Sequence, residues 1–230
     1  MVEAAAVGDA YDSLSREDIR TQLKAVAEGH VAAAPSYKNI KTDPSRDLNC
    51  WLGVESGISL TVLTMKAEGL AISDFLPCVT PEAFPAFMKI LDPILTCRKM
   101  DDQPSGEGHY IMYQHVKTPM VVSNRCVFNT VYDIEMLENG GYIHLTTSKG
   151  NKAIEAANTA LIGKDVLSNS FMTYNKVEPI VDGTGVTITS VMCVDPAGAL
   201  PDFIKAKIAT QNSDTTEKMV KHLRKQKGLK

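Results

Sequence analysis

Apolar residues change their period several times along this chain, and each change marks an element. Ile19, Leu23, Val26 and Val31 keep helical spacing, with Ser15 ahead of them as an N-cap and Asp18 three positions on. Leu14 and Ile19 sit where a hydrophobic staple would close, so a helix over 14–34 is predicted, ended by Pro35 and the polar stretch to Asp47. From Leu48 to Ala71 the pattern becomes that of strands: Trp51, Val54, Ile58, Leu60, Val62 and Met65, with Gly53, Gly57 and Gly69 as breaks. Thr80-Pro81-Glu82 reads as a second helix start, with Phe84, Phe87, Met88 and Leu91 as its apolar face and Asp92-Pro93 as its stop.

Strands are then predicted near 95–101, 109–116, 125–136, 141–148, 165–180 and 186–195. Turn residues separate several of them: Gln103-Pro104-Ser105-Gly106, Asn139-Gly140-Gly141 and Asp182-Gly183. Residues 151–163 break the pattern, because Ile154, Ala157 and Leu161 before Gly163 fit a short helix. The stretch VDPAGALPDF turns through Asp195-Pro196-Ala197-Gly198 and puts Pro201 at the head of a last helix over 199–227. The apolar face of that helix is Leu200, Phe203, Ile204 and Ile208, then Met219, Val220 and Leu223. The order of helices and strands, with a sheet region over 48–195, argues one α+β domain spanning residues 1–230.

Composition narrows the function. A net charge of −3 gives no field for nucleic acid. Five scattered cysteines, with no CxxC pair, fit reduced thiols in a cytoplasmic protein. The opening MVEAAAVGDAYD lacks a basic n-region, and no run approaches the roughly 18–20 apolar residues of a membrane span, so a soluble chain is expected. No GxSxG, P-loop, GxGxxG or HExxH occurs, and the five histidines are dispersed, so neither a catalytic centre, a metal nor a cofactor is expected. Asp101, Asp102 and Glu107, and Asp133 with Glu135, fit either acid–base work or a polar rim.

Two segments carry two readings each. The last thirteen residues, KMVKHLRKQKGLK, hold six Lys/Arg and no acid. They fit a solvated helix end whose cations favour the dipole, or attraction to an anionic membrane at about 1 kcal/mol per basic residue. In KTPMVVSNR, Pro119 stops a central strand, and Met120, Val121 and Val122 would each gain about 1.5–3 kcal/mol on burial. That loop is either packed or closes over a cavity.

Three stretches resemble the START domain, the lipid-transfer module of the helix-grip fold. VKTPMVVSNR, Val116 to Arg125, is similar to the family's strand–loop–strand passage with its Pro, apolar loop and Asn-Arg pair. Leu91-Asp92 falls where many members have Trp-Asp, and VDPAGALPDFIKAKI with the helix ending HLRKQ is similar to the family's closing strand, turn and last helix. The resemblance covers about 180 residues, from near Asn49 to the C-terminus. It implies a curved antiparallel sheet wrapped around the C-terminal helix over an internal apolar cavity. It also implies a gate formed by that helix and the loop at Met120, Val121 and Val122.

Strand alternation within such a fold nominates the lining. It places Arg125, Val127, Asn129 and Val131 on one strand and Tyr110, Met112 and Gln114 on another, with Met172 and Met192 on later strands. Asp92, Leu200, Phe203, Ile204 and Ile208 would face them from the helices. Phosphatidylcholine-binding members carry aromatics and an arginine; the matching positions here hold Gln114, Val127, Met172 and Met88. The internal arginine of the steroidogenic branch falls at Val131. The resemblance therefore implies a sterol, or another lipid with a small polar head, carried between membranes by a monomer in transient membrane contact. Two other readings are an enzyme on a hydrophobic substrate, with Asp92 and Tyr110 as its acid–base pair, and a lipid sensor that does not transfer.

Overall fold

A computed structural model of the chain describes residues 10–100, 108–118, 122–198, 200 and 202–229, without the side chains of 202–207. Residues 1–9, Asp101, Asp102, Glu107, the turn at 103–106, Met120, Val121 and the side chains of Phe203 and Ile204 lie outside it.

The helices are α1 (Arg16–Ala33), α2 (Ile72–Phe75), α3 (Phe84–Leu91), α4 (Lys152–Ala157), α5 (Thr159–Ile162) and α6 (Asp202–Gln226). The strands are β1 (Lys38–Asp43), β2 (Leu48–Glu55), β3 (Ile58–Glu68), β4 (Leu95–Lys99), β5 (His109–Val116) and β6 (Arg125–Tyr132). They continue with β7 (Glu135–Met136), β8 (Tyr142–Thr147), β9 (Val166–Leu167), β10 (Asn169–Pro179) and β11 (Gly185–Asp195). The main path of the sheet runs β1-β2-β3-β11-β10-β8-β6-β5-β4, all antiparallel, with β7 on β8 and β9 parallel to β6. Helices on both faces of one sheet make the α+β helix grip that the resemblance implied.

α1 starts as its sequence demands. The Asp18 N–H donates to Ser15 Oγ (3.1 Å), and the Ser15 hydroxyl donates to Asp18 Oδ2 (2.6 Å). Its buried face, Ile19, Leu23 and Ala27, packs on Leu60, Val62, Leu145, Tyr174 and Val191, the outward side of the sheet. Salt bridges from Arg20 (3.7 Å) and Lys24 to Glu135 hold its polar side, so that carboxylate is structural. Lys149 lies buried beneath the segment leading into α1, its ammonium 3.5 Å from the Phe171 ring centroid and 5.2 Å from that of Tyr11; burial lowers its pKa to about 8.

Several sequence expectations shift. β1 was missed because it is an edge strand with no buried residue, so no alternation marks it. Thr80 caps a turn rather than α3: the Ala83 N–H donates to its Oγ1 (3.3 Å), and the helix begins at Phe84. The expected helix at 151–163 is two short ones. Gly53 is no break. It lies inside β2, where a Cβ would come within 2.7 Å of the Tyr37 ring and of Leu60, so its role is close approach. The true β2–β3 turn is Ser56-Gly57, both at positive φ (50° and 79°).

Gly53→Ala is therefore expected to cost about 1–3 kcal/mol by overpacking Tyr37 against Leu60, read from the urea midpoint of unfolding.

Candidate functional site

Register assigns each strand residue to a face. The inward face, opposite α1, receives α6: Val220 and Leu223 pack with Leu48, Leu63, Met65, Val177 and Ile188. This apolar floor seats the C-terminal half of the helix. Next along the strands, residues 144 of β8, 175 of β10, 190 of β11 and 63 of β3 align as one row: His144, Asn175, Ser190, Leu63. The row beyond crosses six strands: Tyr110, Val131, Thr146, Thr173, Met192, Thr61. Most members of these two rows are polar, yet none is an acid, a lysine or an arginine. The grip has a neutral polar waist.

α6 is fastened to that waist. The Ser190 hydroxyl donates to Asn212 Oδ1 (2.8 Å), while Asn212 Nδ2 lies 3.4 Å from the carbonyls of Thr61 and Ser190. Asn212, Ser213 and Thr216 are buried although they interrupt the apolar face of the helix.

Within the waist, space remains. Thr173, Asn175 and Met192 lie on the two central strands and point inward, yet are only half-buried. Their outward neighbours Tyr174, Val191 and Cys193 are at most 1% exposed beneath α1. Side chains at the middle of a sheet, under a helix, keep surface only where that helix does not fill the gap. The inward side of the central strands is therefore covered less tightly than the outward side. Four buried polar atoms on the inward face have no partner among the described residues: Thr61 Oγ1, Tyr110 Oη, Asn129 Oδ1 and His144 Nε2. Each carries unmet hydrogen-bonding capacity in a position with essentially no accessible surface.

The expected lining residues fall as follows. Tyr110, Met112 and Val131 pack with Phe84 of α3 on the inward face, and Gln114, Val127 and Asn129 share it by register. Asn129 Nδ2 donates to Gln114 Oε1 (2.6 Å), which orients both amides. Met192 is inward. Met172 is not: it packs with Leu23 and Tyr174 under α1, because a bulge between Ser170 and Met172 shifts the phase of β10. Arg125 is on the inward parity but is spent on the rim, donating to the carbonyls of Ser123, Pro196 (3.3 Å) and Ala197 (3.2 Å). These bonds engage three of its five N–H donors. Val122 is half-buried, and its carbonyl accepts from the Thr118 hydroxyl (2.6 Å). Leu200 is buried and Ile208 half-buried. Asp92 caps the turn after α3, accepting from the Ile94 N–H (3.3 Å). Leu95, three residues on, pairs with Val116, about 20 Å along β5 from Tyr110. The two are not an acid–base pair.

The sequence reading missed Thr61, Phe84, His144, Thr146, Ser190 and Asn212. His144 stands out. Its ring meets Phe84 edge-on (centroids 4.8 Å), and burial lowers its pKa to about 4, so it is neutral across the physiological range. The basic C-terminal run is partly tied down: Arg224 donates to the Glu68 carbonyl (3.1 Å), and Lys227 to the Gly69 carbonyl (3.2 Å) and to Asp74 (2.8 Å).

With this geometry in place, comparison with solved structures is decisive for the fold. Human StAR-related lipid transfer protein 5 superposes with a TM-score of 0.67 at 14% identity, covering 92% of this chain and 99% of that one. Human STARD10 gives 0.66 at 15% identity, covering 92% and 80%. The fold is that of the START domain. A STAR-related lipid transfer protein fragment from Xanthomonas axonopodis adds a bacterial example, at 0.60 and 15% identity, covering 82% and 98%. No protein-family model matches the sequence, and no curated protein matches it. At such identities the START likeness is one of backbone architecture, and the lining belongs to this chain. No helix among the described residues is long and apolar enough to cross a membrane.

Two expectations follow for the waist. Between about pH 6.5 and 4 the unfolded chain binds a proton that native His144 refuses, so stability falls as pH drops through that window, by up to about 3 kcal/mol. In His144→Phe that component disappears, read as a flatter melting temperature between pH 7 and pH 4 than in the wild type. Asn212→Ala leaves Ser190 unpaired and is expected to cost about 1–3 kcal/mol in urea unfolding.

Proposed function

We propose that this protein binds one lipid in the hollow between the central strands and α6 and carries it between membranes. The observation that carries the reading is the half-buried state of Thr173, Asn175 and Met192 at the centre of the inward face. The names of the structural neighbours, lipid transfer proteins, support it at the level of architecture. A single 230-residue lipid-binding domain, with α6 and the 117–124 connection as its gate, is part of the same proposal.

The waist favours a particular ligand. A phosphate or a choline buried against His144, Asn175, Ser190 and Thr173 would meet no countercharge, at a cost of several kcal/mol. A hydroxyl, ketone or amide would instead find neutral hydrogen-bonding partners in Thr173 and Asn175, which keep accessible surface, at no charge penalty. The lipid therefore enters polar end first, and a sterol or another lipid with a small neutral head fits best. Its apolar body would lie along Met112, Val127 and the first turns of α6. The protein's part is recognition and shielding, without bond chemistry.

The test is native mass spectrometry of the purified protein, followed by solvent extraction and a vesicle-to-vesicle transfer assay. One stoichiometric neutral-headed lipid that moves between vesicles is the expected result. A bound phospholipid would overturn the head-group assignment, and a lipid that never exchanges would make the protein a sensor. A protein still empty after incubation with mixed liposomes would end the carrier reading. Met192→Trp, which fills the hollow from a central strand, is expected to reduce loading at least tenfold while shifting the melting temperature by only a few degrees, since it enters open space rather than packed core.

A further inference from the structure

The end of the sheet that bears the 117–124 connection also bears an apolar and basic rim that neither the core nor the hollow uses. α3 ends at Leu91 and the chain turns sharply through Asp92-Pro93-Ile94 into β4. This turn leaves Ile90 56% and Ile94 38% exposed, with Pro93 exposed between them. Exposed isoleucines are otherwise unfavourable, at up to about 1.5–3 kcal/mol each relative to burial. The Lys117 N–H donates to the Ile94 carbonyl (3.1 Å), which fixes the isoleucine turn against the first root of the connection. At the second root the Val166 N–H donates to the Asn124 carbonyl (2.9 Å), and this brings exposed Lys164 to the same end. Ile94, Lys117, Asn124 and Val166 thus stand side by side at strand spacings of about 4.8 Å.

Charge is distributed unevenly here. The chain as a whole carries −3. Yet Lys89, Lys117 and Lys164 are all exposed at this rim, and none has an ion-pair partner among the described residues. The acids beside them are engaged: Asp165 with His115 (2.9 Å), Asp195 with the Ala197 N–H (2.9 Å) and Asp92 with the Ile94 N–H. Free cations bordering exposed isoleucines match one surface above others, an apolar layer faced with anions.

We propose that this rim docks the protein on a bilayer carrying anionic headgroups, with Ile90 and Ile94 entering the interfacial layer and Lys89, Lys117 and Lys164 meeting the phosphates. The proposal rests on the carrier reading, since it sets the mouth of the hollow against the donor membrane. It also excludes the basic C-terminal run as the docking element. Lys218, Lys221 and Lys225 are exposed on the far half of α6, a 25-residue helix about 37 Å long whose other end meets the gate.

The test is co-sedimentation of the full chain with phosphatidylcholine vesicles prepared with and without phosphatidylserine. The wild type is expected to bind the mixed vesicles preferentially. Lys117→Glu and Lys164→Glu should each weaken that binding at least fivefold, and Ile94→Asp about tenfold. Lys221→Glu, the same charge change on α6, should leave it unaltered. Melting temperature and co-purified lipid, measured on Ile94→Asp and Lys164→Glu, are expected to match the wild type, because neither residue lines the hollow or belongs to the gate. Absence of vesicle binding, indifference to phosphatidylserine, or equal losses in Lys221→Glu and Lys117→Glu would overturn the docking surface even in a protein loaded with lipid. An empty protein that still binds anionic vesicles through Lys117 would instead overturn the carrier reading and uphold the surface.

Discussion

The seating of α6 depends on one polar clasp. Asn212 reaches down from the middle of the helix to Ser190 and to the backbone of β3 and β11. On one side of it, Val220 and Leu223 bind the helix to an apolar floor. On the other side the central strands keep accessible surface. Asn212, Ser213 and Thr216 are themselves buried, so at this point the helix is held to the sheet by hydrogen bonds rather than by apolar packing.

The two faces of the sheet divide the labour. Outward, α1 buries Leu60, Val62, Tyr174 and Val191 and supplies much of the apolar stabilisation. Inward, polar atoms such as His144 Nε2 and Asn129 Oδ1 have no partner among the described residues, at some cost to stability. Such a cost is tolerable only because the opposite face is so well packed. The inward waist carries no acid, lysine or arginine, so it offers no countercharge to any group set against it.

Much of the fold was legible because its strongest signals are local. The Ser15 cap, the glycine turns and the Asp195–Gly198 turn all act over a few residues. The parity of β5 and β6 could be read because these strands run without a bulge. Met172 was misassigned for the opposite reason, since one extra residue at the Ser170 bulge reverses the faces of β10 and no sequence pattern announces it. His144 and Thr146 escaped because every residue of YIHLTT is buried, so β8 has no alternation to read. Asn212 escaped because a break in an apolar helix face looks like a solvent-facing turn until a partner strand is placed beneath it. Arg125 has the inward parity expected of it, but its three carbonyl partners lie in segments that only tertiary structure brings together.

Those partners tie together two separate segments. The same guanidinium holds Ser123, at the root of the 117–124 connection, and Pro196 and Ala197, in the turn that launches α6. Neither piece can swing away while keeping all of the bonds, so connection and turn share one latch. On the proposed carrier reading, loosening this one side chain would free both segments at once without touching the interior residues.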